Sequence, residues 1–242
     1  MINIVIPMAG LGSRFSEAGY LKSKPFIDVM GVPMIARVME NLKCQEAHYI
    51  LIARKEVLDS EKEMVRELYE KYNVTFIEID SLTEGTACTV LYARKEINNE
   101  LPLLIANSDQ LVDASIEDFI NDCLIKKLDG SILTFLDLDK NPKWSFAKIG
   151  SDNLVIEVKE KEAISNLATV GIYFFSKGKY FVDAALDMIV RNDRVNNEFY
   201  TCPVYNYMIA ENRKIGVFTI SQKEMHGLGT PNDLMFYIKN HN

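Results

Sequence analysis

Residues 4–26 read IVIPMAGLGSRFSEAGYLKSKPF. The run opens as a short apolar strand at residues 4–6 and breaks at Pro7. Met8 and Ala9 lead into Gly10-Leu11-Gly12-Ser13-Arg14, and ten residues beyond that arginine stands Lys24-Pro25. Glycines permit a tight turn and leave backbone N–H groups unscreened, which suits a loop that cradles phosphate after a strand. Arg14, Lys22 and Lys24 add positive charge to the same segment. The expected guest is a nucleoside triphosphate. Two other phosphate loops fail at single positions. A dinucleotide fingerprint needs a third glycine where Phe15 stands, and a P-loop needs a glycine where Leu21 stands. The bland alternative is a plain tight turn with solvated basic residues.

The pattern G-x-G-[ST]-R, followed by K-P and placed directly after a first strand, resembles the signature of the sugar-nucleotide pyrophosphorylases, a family of nucleotidyltransferases. The resemblance implies a three-layer, GT-A-like α/β fold: a mostly parallel sheet flanked by helices, with a smaller sheet extension over the acceptor site. It also implies that Arg14 and Lys24 are the catalytic pair and bind the triphosphate, Lys24 meeting charge that builds at the α-phosphate. Met8, Ala9, Gly10, Gly12 and Ser13 fall in the same nucleotide site.

A chain of 242 residues is expected to form one domain, 1–242, with a nucleotide-binding half at about 1–130 and an acceptor-binding half at about 131–242. The apolar fraction of 48% and charged fraction of 25% are those of an ordinary globular protein. No apolar run approaches the roughly 20 residues of a membrane helix, and no basic segment leads into a signal-peptide core. The expectation is a cytoplasmic protein without a membrane partner. Cys44, Cys88, Cys123 and Cys202 lack metal-ligand spacing and read as reduced thiols; His48, His226 and His241 are too few for a histidine metal site. A net charge of −7 argues against nucleic acid as a partner. It also means that cations must be concentrated locally. Two like charges about 5 Å apart repel by about 3 kcal/mol at an effective dielectric of about 20. A nucleotide and a second phosphate brought together contain several such pairs.

Strand-like and helix-like runs alternate through the first half, the mark of a largely parallel α/β sheet. Strands are expected at residues 2–7, 49–53, 74–79 and 101–106, with helices at 34–42, from Ser60 to about Tyr72, and from the 83–87 turn through Arg94. Ser60 and Glu63 have capping-box spacing, and Glu67 and Lys71 form an i,i+4 pair. Gly85 and Thr86 resemble the family's small-residue turn against the base. The apolar fourth strand ends in Asn107-Ser108-Asp109-Gln110. A carboxylate at the carboxyl end of a buried strand lies where open α/β sheets bind ligands, and Asp109 suits Mg²⁺, which takes one or two carboxylates and fills its shell with phosphate and water. The resemblance assigns Asp109 to the metal, Ser108 to the nucleotide and Gln110 to the acceptor. The bland reading is an Asx turn.

After a helix capped by Ser115, strands are expected at residues 131–136, 146–149, 154–158 and 168–175, forming a second wall of the cleft. The resemblance places Lys161 on the acceptor phosphate, although Glu162 replaces the family's usual proline. It also places Thr169, Gly171 and Glu198 in the acceptor pocket. A helix at about 203–212, a strand at 215–220 and a helix capped by Thr230 complete the chain. One departure stands out: many relatives carry a second metal-binding aspartate two residues before the Gly-Thr pair, where this chain has Gly227.

The reaction implied is NTP plus a phosphorylated acceptor giving an NDP-linked product and pyrophosphate, with Mg²⁺ as cofactor. The strings PMAGLGSRF, NSDQ and NNEFYTCPVYN resemble small capsule-pathway cytidylyltransferases that join CTP to phosphoglutamine. The alternatives are a sugar-1-phosphate nucleotidyltransferase using UTP, dTTP or CTP, and a regulatory domain that binds nucleotide without chemistry. Nothing in the sequence bears on oligomeric state.

Overall fold

The computed structural model describes residues 1–241. Strand β1 (Ile2–Pro7) sets the layers. Ile4 and Ile6 are fully buried in one cluster and Val5 in another, so the strand must be covered on both faces. Strands β2 (Ala47–Arg54), β3 (Val74–Ile79) and β4 (Leu103–Ala106) join it in the order β3-β2-β1-β4, all parallel. Helices Met34–Asn41, Lys62–Lys71, Ile116–Ile125 and Pro231–His241 pack on the Ile4 face. Helices Thr86–Leu91, Gly178–Val190 and Val204–Ala210 pack on the Val5 face. The result is a three-layer α/β fold with a mostly parallel central sheet.

The sheet continues through β5 (Gly130–Leu136), β6 (Ser145–Ile149), β7 (Val155–Glu160), β8 (Leu167–Phe175) and β9 (Ile215–Ile220). Strand β8 is the joint between the two halves. Residues Ile172 to Phe175 pair antiparallel with β4, whereas Ala168 pairs with Phe146 of β6. Its opposite edge carries β5, to which β9 adds in parallel. Strands β4 and β6 therefore share one edge of β8 end to end, and the gap between them opens where β4 stops at Ala106. The register of β8 against β5 shifts between Thr169 and Tyr173, and Gly171 within that shift has φ 91°. A Cβ on Gly171 would lie 2.2 Å from Asn107 Nδ2, so a side chain from the end of β4 occupies the space a larger residue would need. A second ribbon, Gln110–Val112 against Met225–Gly227, ties the segment after Asp109 to the tail of the chain.

Local differences from the sequence expectations have identifiable causes. Ser60 does not cap the charged helix: it ends a preceding helix, Lys55–Ser60, and its hydroxyl donates to Val57 O, leaving Glu61 at the cap. Glu67 and Lys71 do not pair; Arg66 meets Glu70 at 3.0 Å and Lys71 meets Glu40 at 3.5 Å. The helix after Gly85 stops at Leu91 and resumes as a short turn, Arg94–Ile97. Ser115 does cap its helix, accepting from Asp118 N at 3.1 Å, and Thr230 accepts from Asp233 N at 3.2 Å.

Gly85 is the tightest backbone contact bordering the cleft. It has φ 123° and ψ 171°, a region open essentially to glycine alone, and a Cβ there would lie 2.4 Å from Phe199 O. Gly227 has nothing within 4 Å of its Cβ position. Gly85→Ala is expected to lower stability by about 2 kcal/mol or more, and Gly227→Ala to change it by less than about 0.5 kcal/mol, in urea titrations of the two variants.

Candidate active site

The loop after β1 is held from behind and left open in front. Met8 N donates to Ile52 O at 2.9 Å, and Arg54 Nε donates to Ala9 O at 3.1 Å. Beyond these anchors, the N–H groups of Ala9, Gly10, Leu11, Gly12, Ser13 and Arg14 make no hydrogen bond among the described residues. Six successive unpaired donors beside the exposed Arg14 favour an anion. Gly12 takes the left-handed conformation, φ 65°, and its Cβ position lies 3.0 Å from Lys24 Cβ. That close approach brings the lysine up against the loop.

Lys24 opens a 3₁₀ turn, Lys24–Phe26, whose Pro25 and Phe26 are buried and fix its position. Its Nζ donates to Asp109 Oδ2 across the cleft, and both side chains are about one-fifth exposed, at 20% and 23%. The Asp109 backbone is anchored in turn, since Leu228 N donates to Asp109 O at 2.8 Å. Gly229 packs against the carboxylate: its Cβ position lies 3.0 Å from Asp109 Oδ2.

Three compartments meet here. The central one, about 310 Å³, is bounded by Met8, Gly10, Gly12, Lys24, Ser108 and Asp109. A second, about 340 Å³, lies against Ala9, Ser13, Thr83, Gly85 and Glu198. The third, about 270 Å³, fills the gap between β4 and β6 and is bounded by Gln110, Trp144, Glu160, Thr169, Gly171 and Tyr200. Thr86 borders all three, and Asn107 borders the central and third.

Most of the residues expected from sequence thus converge. Three stand elsewhere than expected. Arg14, exposed on the short helix after Gly12, borders none of the three compartments. Glu198 borders the compartment of Ala9 and Gly85, not the one formed by Gln110 and Thr169. Lys161 lies just past the end of β7 with φ 57°, and its Nζ donates to Tyr200 OH at 2.6 Å while sitting 4.5 Å above that ring. That bond raises the Lys161 pKa, so the ammonium stays charged. The sequence reading missed Asn107, Trp144, Glu160, Tyr200 and Thr201. Signals for several were present: Glu160 precedes Lys161, Trp144 is the chain's one tryptophan, and Tyr200 follows Glu198 and Phe199.

Glu160 is the half-buried carboxylate that lines the third compartment. Ser145 Oγ donates to its Oε2, yet burial dominates and pushes its pKa above the ordinary carboxylate range. A half-buried carboxylate with one hydroxyl partner has acceptor capacity left for a ligand's hydroxyl or ammonium groups.

For a metal ion, the donor set is sparse. Among the described residues no three His, Cys, Asp or Glu side chains converge. Asp109 is the carboxylate facing the central compartment, and the space beside Gly227 is open. One carboxylate fits a divalent cation that arrives with phosphate oxygens and waters.

A Gly-rich loop on β1, a carboxylate at the end of β4 and an open sheet together define a nucleotide-binding α/β protein of the doubly wound type. A profile of the nucleotidyl transferase family matches residues 4–233, and the chain belongs to that family. It is similar to the bifunctional protein GlmU of Methanococcus aeolicus, 27% identical over 178 residues, covering 72% of this chain and 40% of the relative. The GlmU of Methanocaldococcus jannaschii is 25% identical over 183 residues, with 73% and 40% covered. The chain therefore spans about 40% of the length of these curated relatives. In fold, it is similar to a nucleoside-diphosphate-sugar pyrophosphorylase from Vibrio cholerae, with TM-score 0.84, 24% identity, and 98% and 99% of the two chains covered. No helix is long and apolar enough to cross a membrane among the described residues.

The raised pKa of Glu160 has a sign. Ionising it costs the folded state more than the unfolded one, so its contribution is most favourable below the unfolded value and is lost as pH rises through the folded value. Glu160→Gln is therefore expected to raise Tm at about pH 7.5 and to leave it nearly unchanged at about pH 4, read by thermal melts at both.

Proposed function

We propose that this chain is a nucleotidyltransferase that joins a nucleoside triphosphate to a sugar 1-phosphate and releases pyrophosphate. The observation that carries the reading is the central compartment. Loop residues with free N–H groups and Lys24 border it together with Asp109, Arg14 follows on the same loop, and Asn107 and Thr86 connect it to a polar pocket large enough for a monosaccharide. The nucleoside-diphosphate-sugar pyrophosphorylase of similar fold supports the sugar class.

In this reading the N–H strip and Arg14 hold the triphosphate, with its base against Ala9 and Gly85. Lys24 lies where charge develops as an acceptor phosphate oxygen attacks the α-phosphorus. The new P–O bond forms as the bond to the β-phosphate breaks, and pyrophosphate leaves with the electron pair. The attacking oxygen is already ionised near neutrality, so no general base is required. Positioning and charge neutralisation account for the catalysis. Asp109 would hold Mg²⁺, which supplies neutralisation of phosphate charge when bound. Before substrate arrives, the carboxylate keeps Lys24 fixed in the cleft.

A second reading, CTP with phosphoglutamine, follows the resemblance of the NNEFYTCPVYN stretch. Glu160 beside Trp144 and Tyr200 favours it, because a carboxylate near aromatic faces also suits an ammonium group. The two readings separate in one experiment: CTP, UTP, dTTP, ATP and GTP crossed with glucose 1-phosphate, N-acetylglucosamine 1-phosphate, phosphoglutamine and phosphocholine, read as pyrophosphate. Turnover confined to a sugar 1-phosphate supports the first; turnover confined to CTP and phosphoglutamine supports the second. Absence of turnover in every cell removes both and leaves a nucleotide-binding protein.

With the active pair, Lys24→Ala is expected to lower kcat by about 10²–10³ with the melting curve retained. Near-wild-type turnover would take Lys24 out of the reaction. Asp109→Asn should shift the Mg²⁺ dependence of the rate to higher concentration. An unchanged Mg²⁺ titration would remove Asp109 from the metal.

A further inference from the structure

Segment 194–201 is tied to the Glu84–Thr86 loop by a dense set of contacts. Val195 and Glu198 exchange backbone hydrogen bonds at 3.0 and 2.9 Å around Asn196 and Asn197, which have φ 50° and 64°. Positive φ at both central residues is the geometry of a tight hairpin turn, and asparagine tolerates it. Beyond the turn, Phe199 N donates to Glu84 O at 2.7 Å and Ala87 N donates to Phe199 O at 2.9 Å. Gly85 lies flat between them. Thr201 N and Thr201 Oγ1 both donate to Thr86 Oγ1, each at 3.1 Å.

Arg194 fastens this arrangement with every part of its guanidinium. Nη2 donates to Glu84 Oε2 at 2.6 Å, Nη1 to Asn197 O at 3.1 Å, and Nε to Asn192 Oδ1 at 2.6 Å. Its plane covers the Phe199 ring, with the guanidinium carbon 4.2 Å from the centroid. Neither Arg194 nor Glu84 borders any of the three compartments. The segment they hold borders two: Glu198 faces the nucleotide side, and Tyr200 and Thr201 face the acceptor side. Thr86, bonded to Thr201, borders all three.

We infer that Arg194 is a positioning residue: by clasping Glu84 it holds one wall shared by both substrates, so that nucleotide binding tightens acceptor binding. The inference rests on the two-substrate reading above. The physical reason is that the clasp makes segment 194–201 and the Glu84 loop one body, so its residual ordering has a single entropic cost that the first ligand bears for both; unclasped, each side is ordered separately by its own ligand. A planar fork making several directed bonds at once is suited to this task, and lysine could reproduce only the charge.

The test uses the full chain and the nucleotide–acceptor pair that the matrix above shows it turns over fastest. Initial rates on a grid of both substrates give the ratio of the acceptor dissociation constant without nucleotide to that at saturating nucleotide. Trp144, which borders the acceptor compartment, gives a fluorescence check on acceptor binding. The wild-type ratio is expected to be about fivefold or more, the lower end of ordinary site-to-site coupling. Arg194→Ala and Glu84→Gln are each expected to bring it near one and to leave the nucleotide's own dissociation constant nearly unchanged. Arg194→Lys should restore part of the coupling. A merely structural clasp would lower Tm and leave the ratio intact, and that result would overturn the inference. A wild-type ratio of one would overturn it as well. If Arg194→Ala does not fold, Glu84→Gln, which alters an exposed carboxylate, decides the matter by the same ratio. Failure of the wild-type chain to turn over any pair overturns the transferase reading and this inference together.

Discussion

Lys24 and Asp109 meet across the cleft although 85 residues separate them in the chain. Their contact makes one site out of the loops that follow two neighbouring strands, β1 and β4. Lys24 is delivered by a buried Pro-Phe turn and pressed against Gly12; Asp109 is delivered by the end of β4 and anchored by Leu228. Neither charge is deep enough to bear full desolvation, and neither is exposed enough to be screened to nothing. A pair at that depth is readily exchanged for phosphate on one side and a cation on the other, because the groups that leave it are replaced by stronger partners.

The same constraint accounts for the shape of the rest. The protein carries a net charge of −7, so an anionic ligand must be received by a local concentration of donors. The donors are mostly backbone. Ala9 to Arg14 present N–H groups fixed by the turn, while Arg54 occupies the Ala9 carbonyl from behind and removes an acceptor that would repel phosphate. Backbone donors carry no net charge and have no side-chain entropy to lose, so they complement Arg14 and Lys24 without adding flexible cations.

What the sequence made legible was the part written in short, local strings. The alternation around Val5, the glycines, Lys24-Pro25 and the Ser108-Asp109 strand end each specify a backbone shape or a position that neighbours in sequence determine. The acceptor side was harder to read because its residues come together only through β8. The glycine that kinks β8 is visible, but that Asn107 fills the kink depends on β4 and β6 sharing one edge. Lys161 and Glu160 illustrate the difficulty. Adjacent in sequence at a strand end, they diverge: the left-handed turn at Lys161 sends the ammonium onto Tyr200 and leaves Glu160 in the pocket. Ser60 failed for a related reason, since a cap motif means nothing once the residues before it are already helical.

Gly227 completes the electrostatic account. It lies opposite Gln110 on the ribbon that follows Asp109, with open space where a side chain would project. A carboxylate there would add a second negative charge near Asp109. In its absence, Lys24 faces a single aspartate, and the balance of that pair is neutral rather than one negative charge. At an effective dielectric of about 20, one charge at about 5 Å is worth about 3 kcal/mol toward each phosphate charge. On the proposed reading the chain thus repels the triphosphate less than a two-carboxylate site would, and attracts less strongly a metal ion that comes without it. Nucleotide and cation are favoured together, because the phosphate oxygens supply the ligands that Gly227 does not.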